Sequence, residues 1–192
     1  DATTNFGAIN RRAAQLAVRD TLLRGRFGAV TTVGQSGGCL YSAGDDNRTY
    51  GLNGVAQNGS AAANRATVLL ERVAVVDCDV QESAGAPGTG IGGGLLTSLT
   101  ALTLRDSLVS DCDASGASLG GGGGLAVLGQ TAATVTDTVI ARNSASNYGG
   151  GVFAQGSHLA ISGAALVHNE VSPGVAEAVG SSFGAALFTS PA

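Results

Sequence analysis

The sequence predicts an all-β fold, a right-handed parallel β-helix of about five coils, built as a single solenoid domain over residues 1–192. Three observations predict this fold. The composition favours strands and turns, a glycine element recurs along the chain, and a strand-like segment follows each of the first five glycine elements.

The composition separates this chain from disordered and fibrous classes. It contains 31 Gly, 44% hydrophobic residues and 12% charged residues. Disordered chains are rich in charge and poor in aliphatic residues, and collagen needs Gly at every third position, which is not seen here. Val, Thr, Leu and Gly are abundant and Lys is absent, which favours short strands and tight turns over helices.

The glycine element begins with an aromatic or small residue, continues with Gly-Gly or Gly-Ala, and ends with apolar residues. Its instances are Phe6-Gly7-Ala8-Ile9, Gly37-Gly38-Cys39-Leu40, Gly92-Gly93-Gly94-Leu95, Gly122-Gly123-Gly124-Leu125, Tyr148-Gly149-Gly150-Gly151-Val152 and Phe183-Gly184-Ala185-Ala186-Leu187. We expect the backbone to turn tightly here, at a place where no side chain fits.

The second element aligns without gaps in five segments, 16–26, 69–78, 102–112, 134–143 and 159–169. The last residues form one column, Arg26, Cys78, Cys112, Asn143 and Asn169, with intervals of 52, 34, 31 and 26 residues. Such intervals fit one solenoid turn of three short strands, with one long insertion at 41–66. The last four members are predicted to form an inward ladder, in which the amides bond to the backbone and to one another and Cys is a small apolar substitute. Arg26 stands where an inward polar residue is expected.

Two further columns alternate in the sign of their charge. They are Arg19, Glu71, Arg105 and Asp20, Arg72, Asp106. Aligned residues on neighbouring parallel strands lie about 4.8 Å apart, so like charges would repel and opposite charges attract. The alternation supports the alignment.

The pairing of Gly-Gly-apolar with a later apolar-x-x-Asn resembles the repeats of chlamydial polymorphic outer-membrane proteins and the β-helix passengers of autotransporter adhesins. The resemblance covers nearly the whole chain and rests on short, degenerate motifs. It implies a β-helix at the cell surface or outside the cell. Cys78 and Cys112 depart from the pattern, because they stand where those repeats have Asn.

Four carboxylates flank the two cysteines of the column. They are Asp77, Asp79, Asp111 and Asp113. With the cysteines inward, these side chains would form a two-by-two array on the surface, a candidate Ca²⁺ site because hard cations prefer carboxylate oxygens. The alternative is ionic compensation without a metal, since Arg142 and His168 continue the Asp77 column. No other cofactor is expected.

The sequence leaves two states of Cys78 and Cys112 open. Cys78 and Cys112 would have Cα atoms about 4.8 Å apart, which allows either a disulfide or two buried thiols. Cys39 lies in a different column and is expected to be unpaired. Asn47 and Asn58 begin N-glycosylation sequons within the 41–66 insertion, where a projecting loop would accommodate a glycan.

The sequence predicts no enzyme. There is no Lys to act as a base, His158 and His168 are expected on the surface, and the Gly120–Gly124 run lacks a P-loop Lys. Nucleic-acid binding is not expected, because the net charge is −4 and the Arg residues are scattered. Membrane insertion by this segment is not expected, because no apolar run approaches about 20 residues.

The predicted function is an extracellular or cell-surface structural scaffold, a rigid stalk or fibre segment. Both ends of the chain fall at nearly the same point of the repeat, so we expect the chain to adjoin further coils of a longer solenoid or to stack end-to-end with copies of itself. One alternative is an adhesin passenger that binds glycans or host proteins through the 41–66 loop. A second alternative is a polysaccharide lyase or hydrolase.

Overall fold

The structure is a computed structural model that describes residues 7–9, 15–25, 37–43, 66–81, 90–115, 120–129, 131–172 and 186–190. These residues form strands and turns, with no helix among them. The described residues accordingly include no helix long and apolar enough to cross a membrane. The predicted all-β class is confirmed for this part of the chain.

Eighteen strands are described in chain order. They are β1 (Gly7–Ile9), β2 (Gln15–Arg24), β3 (Leu40–Ala43), β4 (Ala66–Val76), β5 (Asp79–Gln81), β6 (Leu95–Ser98), β7 (Thr100–Arg105), β8 (Leu108–Ser110), β9 (Asp113–Ser115), β10 (Leu125–Leu128), β11 (Ala132–Thr136), β12 (Val139–Ala141), β13 (Ser144–Ala145), β14 (Val152–Gln155), β15 (His158–Ser162), β16 (Ala165–Val167), β17 (Glu170–Val171) and β18 (Leu187–Ser190).

The strands form three sheets, and every pair of neighbouring strands is parallel. Sheet A has the order β1-β3-β6-β10-β14-β18, sheet B has the order β15-β11-β7-β4-β8-β12-β16 with β2 beside β4, and sheet C has the order β17-β13-β9-β5. From β3 to β17 the chain visits sheets A, B and C in the same order each time. We call each passage a layer: layer 1 holds β1 and β2, layer 2 β3–β5, layer 3 β6–β9, layer 4 β10–β13 and layer 5 β14–β17.

The register of sheet B follows the gap-free alignment of the five segments. Leu23 pairs with Val75, Val75 with Val109, Val109 with Ile140, and Ile140 with Leu166. These apolar residues therefore lie one above another through five layers, as the alignment predicts.

The core lies between the sheets and is filled by alternate side chains of each strand. Leu70, Leu95, Leu104, Leu125 and Ile140 are all 0% exposed. Burying such a side chain stabilises a fold by about 1.5–3 kcal/mol, and the stacking of aliphatic residues through the layers makes this core continuous.

Layers 1 to 4 use the left-handed backbone conformation at a residue other than Gly in their first corner, and layers 2 to 5 do so in their second corner. These residues have φ between 47° and 56°, and they are Asp20, Arg72, Asp106, Asp137, Asp77, Asp111, Arg142 and His168. L-residues adopt this region at an energetic cost, and Asp tolerates it better than most. Because one corner geometry recurs in each layer, successive layers superimpose and their strands stay in register.

The glycine element forms a third corner, where layers approach most closely. A β-carbon on Gly123 would overlap the backbone oxygens of Ser144 and Gly150. A β-carbon on Gly93 would overlap the oxygens of Asp113 and Gly123 in the same way. The prediction that no side chain fits at this turn is confirmed at both glycines.

Candidate functional site: the cysteine–asparagine column

The cysteine–asparagine column consists of Cys78, Cys112, Asn143 and Asn169. These residues lie one above another, and each immediately precedes a strand of sheet C. The backbone N–H after each upper member donates to the carbonyl oxygen of the member below. Asp113 N donates to Cys78 O at 2.8 Å, Ser144 N to Cys112 O at 2.9 Å, and Glu170 N to Asn143 O at 2.9 Å. Each member follows a left-handed residue, which turns the chain and directs the next side chain inward.

The two amides connect neighbouring layers. Asn143 donates from Nδ2 to Val109 O at 3.0 Å and accepts at Oδ1 from Cys112 N at 3.0 Å. Asn169 donates from Nδ2 to Ile140 O at 2.8 Å and accepts at Oδ1 from both N and Nδ2 of Asn143, at 3.1 and 3.0 Å. Asn143 is 0% exposed, so this full set of partners offsets the cost of burying its amide.

Cys112 replaces an amide in the same position. Its thiol donates to Ser110 O at 3.2 Å, and it lies between layers as the amides do. Burial raises the pKa of the Cys112 thiol to about 12. Cys112 therefore stays a neutral thiol at physiological pH and packs as a small apolar group.

The structure corrects the expected cysteine pairing. Cys39 and Cys78 form a disulfide with Cα atoms 5.6 Å apart, and Cys112 is the free, buried cysteine of the described residues. The expectation that Cys39 is unpaired was wrong, and so were both alternatives for Cys78 and Cys112. Cys39 does lie in another column, but that column faces the cysteine–asparagine column across the core.

The facing column is the third position of the glycine element. A β-carbon on Gly94 would lie 3.2 Å from Cys112 Sγ, and one on Gly124 would lie 2.9 Å from Asn143 Nδ2. Cys39 occupies this position in layer 2, and Gly94 and Gly124 occupy it in layers 3 and 4. Its β-carbon therefore points at the column member of its own layer, Cys78, and the two sulfur atoms meet.

The structure does not bring the four aspartates together as ligands. Asp77 pairs with Arg24 at 2.8 Å, and Asp111 receives two bonds of 2.7 Å from Arg142. Asp113 accepts from the hydroxyls of Ser115 and Ser144. Within the described ranges, no group of three or more His, Cys, Asp or Glu residues is arranged to hold a metal ion.

Arginine holds the Asp111 carboxylate in its charged form. The hydrogen bonds from Arg142 lower the pKa of Asp111, and the charge of Arg142 adds to this effect. His168 continues the column one layer above Arg142 and is exposed at its corner. Asp111 and Arg142 therefore compensate each other's charge between layers. Ionic compensation of this kind was the alternative to calcium binding that the sequence left open.

A second ionic network surrounds Glu71 on sheet B. Its carboxylate accepts from Arg19 at 2.7 Å, from Arg72 at 2.6 Å and from Arg105 at 2.9 Å. Arg72 also bonds Asp20 at 2.6 Å. The hydrogen bond from Arg19 is the largest cause of a lowered pKa at Glu71. The predicted alternation of charge therefore corresponds to ion pairs that join layers 1, 2 and 3.

Two columns of buried hydroxyls were missed in the sequence. Ser107 donates to Arg105 O at 2.6 Å and accepts from Val73 N at 3.1 Å, which joins layers 3 and 2. Thr131 similarly donates to Leu128 O at 2.6 Å and accepts from Thr100 N at 3.4 Å. The sequence does carry a signal for the first column, because Asp followed by Thr or Ser and an apolar residue recurs at 20–22, 106–108 and 137–139.

An aromatic cluster on the outer side of sheet A was also missed. The rings of Tyr148, Phe153 and Phe188 lie with centroids 5.1–5.8 Å apart and pack with Leu96 and Ala126. The sequence does not indicate the directions of the apolar residues that follow each glycine element. In the structure they alternate, and the second of each pair enters this outer cluster.

The two histidines lie at the surface. His158 begins β15 and His168 lies at a corner, both exposed. Asn47, Asn58 and Arg26 lie outside the described residues, as does most of the 41–66 insertion.

No family model, no curated protein and no solved structure matches this chain.

Proposed function

We propose that this chain is a segment of a right-handed parallel β-helix and that it serves as a non-enzymatic, extracellular structural scaffold, a rigid stalk or fibre segment. The observation that carries the proposal is the stacking of polar side chains between layers at Asn143 and Asn169. Right-handed winding is expected because about 98% of parallel β-strand crossovers have that hand.

A scaffold needs rigidity along its axis, and three kinds of contact supply it here. The amides of the cysteine–asparagine column join layers 3, 4 and 5, the Glu71 network joins layers 1, 2 and 3, and the Ser107 hydroxyl joins layers 2 and 3. The functional groups of these side chains are engaged with the protein itself. Their chemistry supports stacking between the layers.

The disulfide supports the extracellular part of the proposal. Disulfides form and persist in oxidising compartments and are rare in the reducing cytosol. Cys78 is 1% exposed, so this end of the bond lies in the interior of the fold.

Electron microscopy of the source protein that contains this segment tests the scaffold function. We expect rods or filaments whose axis follows the layer stack. Compact globular particles would count against the stalk.

A depolymerisation assay tests the absence of enzymatic activity. The chain is incubated with acidic polysaccharides and Ca²⁺, beside the matched variant Asp111→Asn. We expect no cleavage by either protein. Product release by the wild type that is lost in Asp111→Asn would replace the scaffold with a lyase or hydrolase.

A further inference from the structure

The disulfide closes one layer covalently at the point where the other layers close by packing. In layers 3, 4 and 5 the closing contact joins the third glycine to the column member: Gly94 with Cys112, Gly124 with Asn143, and Gly151 with Asn169. Layer 2 makes the same contact with the Cys39–Cys78 bond.

Of layers 2 to 5, the covalently closed layer is also the longest. The closing residues are 18 apart in layer 3 (112 − 94), 19 in layer 4 (143 − 124) and 18 in layer 5 (169 − 151). In layer 2 they are 39 apart. Closing a longer loop costs more conformational entropy, and a disulfide removes that cost from folding by linking the ends in the unfolded chain as well.

Layer 1 depends on layer 2 for its pairing. Among the described strands, β1 pairs with β3 alone and β2 pairs with β4 alone. If β3 and β4 detach from layer 3, no other described strand therefore holds layer 1 in place. Layers 4 and 5, in contrast, keep their amide bonds to each other and to layer 3.

We propose that the Cys39–Cys78 disulfide is a redox-responsive clamp: its reduction opens layers 1 and 2 selectively, while layers 3–5 stay folded. A small-molecule dithiol supplies the two electrons and two protons, is oxidised to its cyclic disulfide, and leaves Cys39 and Cys78 as thiols. The partly exposed Cys39 is the point of access, since Cys78 is buried. Layer 2 then closes its 39-residue span without a bond and without an amide. This inference concerns local stability and holds whether or not the stalk function does.

Hydrogen exchange read by mass spectrometry, with and without a dithiol, tests the clamp. Reduction is expected to speed exchange in β2, β3 and β4 by at least about 30-fold, which corresponds to the low end of the stabilisation given by a native disulfide. Exchange in β11, β12 and β15 is expected to change by less than about threefold, because local opening can leave other units intact. Alkylation of the thiols and peptide mapping establish the bond before reduction and its loss afterwards.

Two variants serve as matched controls. Cys39→Gly with Cys78→Asn gives layer 2 the glycine–asparagine contact of layers 4 and 5, and its exchange should not respond to the dithiol. Cys39→Ser with Cys78→Ser lacks both closures, and its exchange in β2–β4 should be fast with or without the dithiol.

The clamp is overturned if fully reduced wild type exchanges in β2–β4 as slowly as the oxidised protein does. It is equally overturned if reduction speeds exchange to the same extent in every layer. The wild type alone decides between these outcomes, so the test holds even if a variant does not fold. Particle shape in the microscope is a separate readout, so failure of the clamp and failure of the stalk function are distinguishable.

Discussion

Asn169 Oδ1 accepts hydrogen bonds from both the backbone N and the side-chain Nδ2 of Asn143 in the layer below. One side-chain oxygen thus satisfies two donors of its neighbour, while Asn143 does the same for the backbone N of Cys112. In this column, each Asn amide therefore supplies hydrogen-bond partners to buried polar groups of the layer beneath it.

Replacing Asn143 by Ala tests that dependency. The variant leaves Cys112 N and Val109 O without the side-chain partner that each has now, and Asn169 Oδ1 keeps only the backbone N of residue 143 as a donor. Unsatisfied buried polar groups cost about 1–3 kcal/mol each, and partial relaxation reduces the sum, so we expect a loss of about 2–4 kcal/mol in the free energy of unfolding. Urea titration measures it, with the exposed Thr134→Ala as a control within about 0.5 kcal/mol of wild type. Equal stability of the two variants would show that the ladder contributes nothing.

Replacing Cys112 by Asn should extend the ladder by one layer. The new amide could accept from Cys78 N and donate to Val75 O, the counterparts of the atoms that Asn143 uses, and Gly94 leaves the space that Gly124 leaves in layer 4. We expect a gain of about 1 kcal/mol in the free energy of unfolding. Cys112→Val is the matched control, since it fills the site without hydrogen bonds. A Cys112→Asn protein less stable than Cys112→Val would contradict the proposed geometry.

Gly123→Ala should be strongly destabilising. The added methyl group would overlap the backbone oxygens of Ser144 and Gly150, and backbone cannot move aside without separating the layers. We expect a loss of more than about 3 kcal/mol, in the range of overpacked cores and beyond. Gly129→Asn is the control, because Gly129 is exposed and its φ of 54° is one that Asn tolerates. Similar thermal midpoints for both variants would refute close approach at Gly123.

Acid should destabilise the stack through its ion pairs. The pKa values of Glu71 and Asp111 are lowered in the folded protein, from ordinary values of 4.5 and 3.8, so their ionised forms stabilise the fold at higher pH. This stability is complete well above those values and is lost as the pH falls below about 4.5 through the folded pKa values. Urea midpoints measured between pH 7 and pH 2.5 should fall at the acid end. Glu71→Gln should flatten part of that fall, and an unchanged profile in this variant would argue against the network.

The vertical order of residues could be predicted from the sequence, because a gap-free repeat states which side chains lie above one another. The Leu23-to-Leu166 column, the amides at Asn143 and Asn169, and the charges around Glu71 all follow from that alignment. Each depends on repeat spacing alone.

Contacts across a layer could not be predicted in the same way. The alignment does not state which column faces which, so Cys39 was placed in a different column and expected to be unpaired. The left-handed corners at Arg72 and Arg142 were missed as well, since Arg has no special preference for that conformation and stacking imposes it. Phe153 points outward because side chains alternate in direction along β14. Two consecutive apolar residues in the sequence do not indicate which of them points outward.

The central claim is that positions 78, 112, 143 and 169 lie in one column, and side-chain amide NMR tests it most directly. In a ¹⁵N-labelled sample, nuclear Overhauser effects should connect the Nδ2 protons of Asn143 with those of Asn169 and with the backbone proton of Cys112. Assignments by Asn143→Asp and Asn169→Asp identify the two amides. Cross-peaks between them are the predicted result. If both amides are assigned and neither shows a contact with the other, the layers do not stack as described.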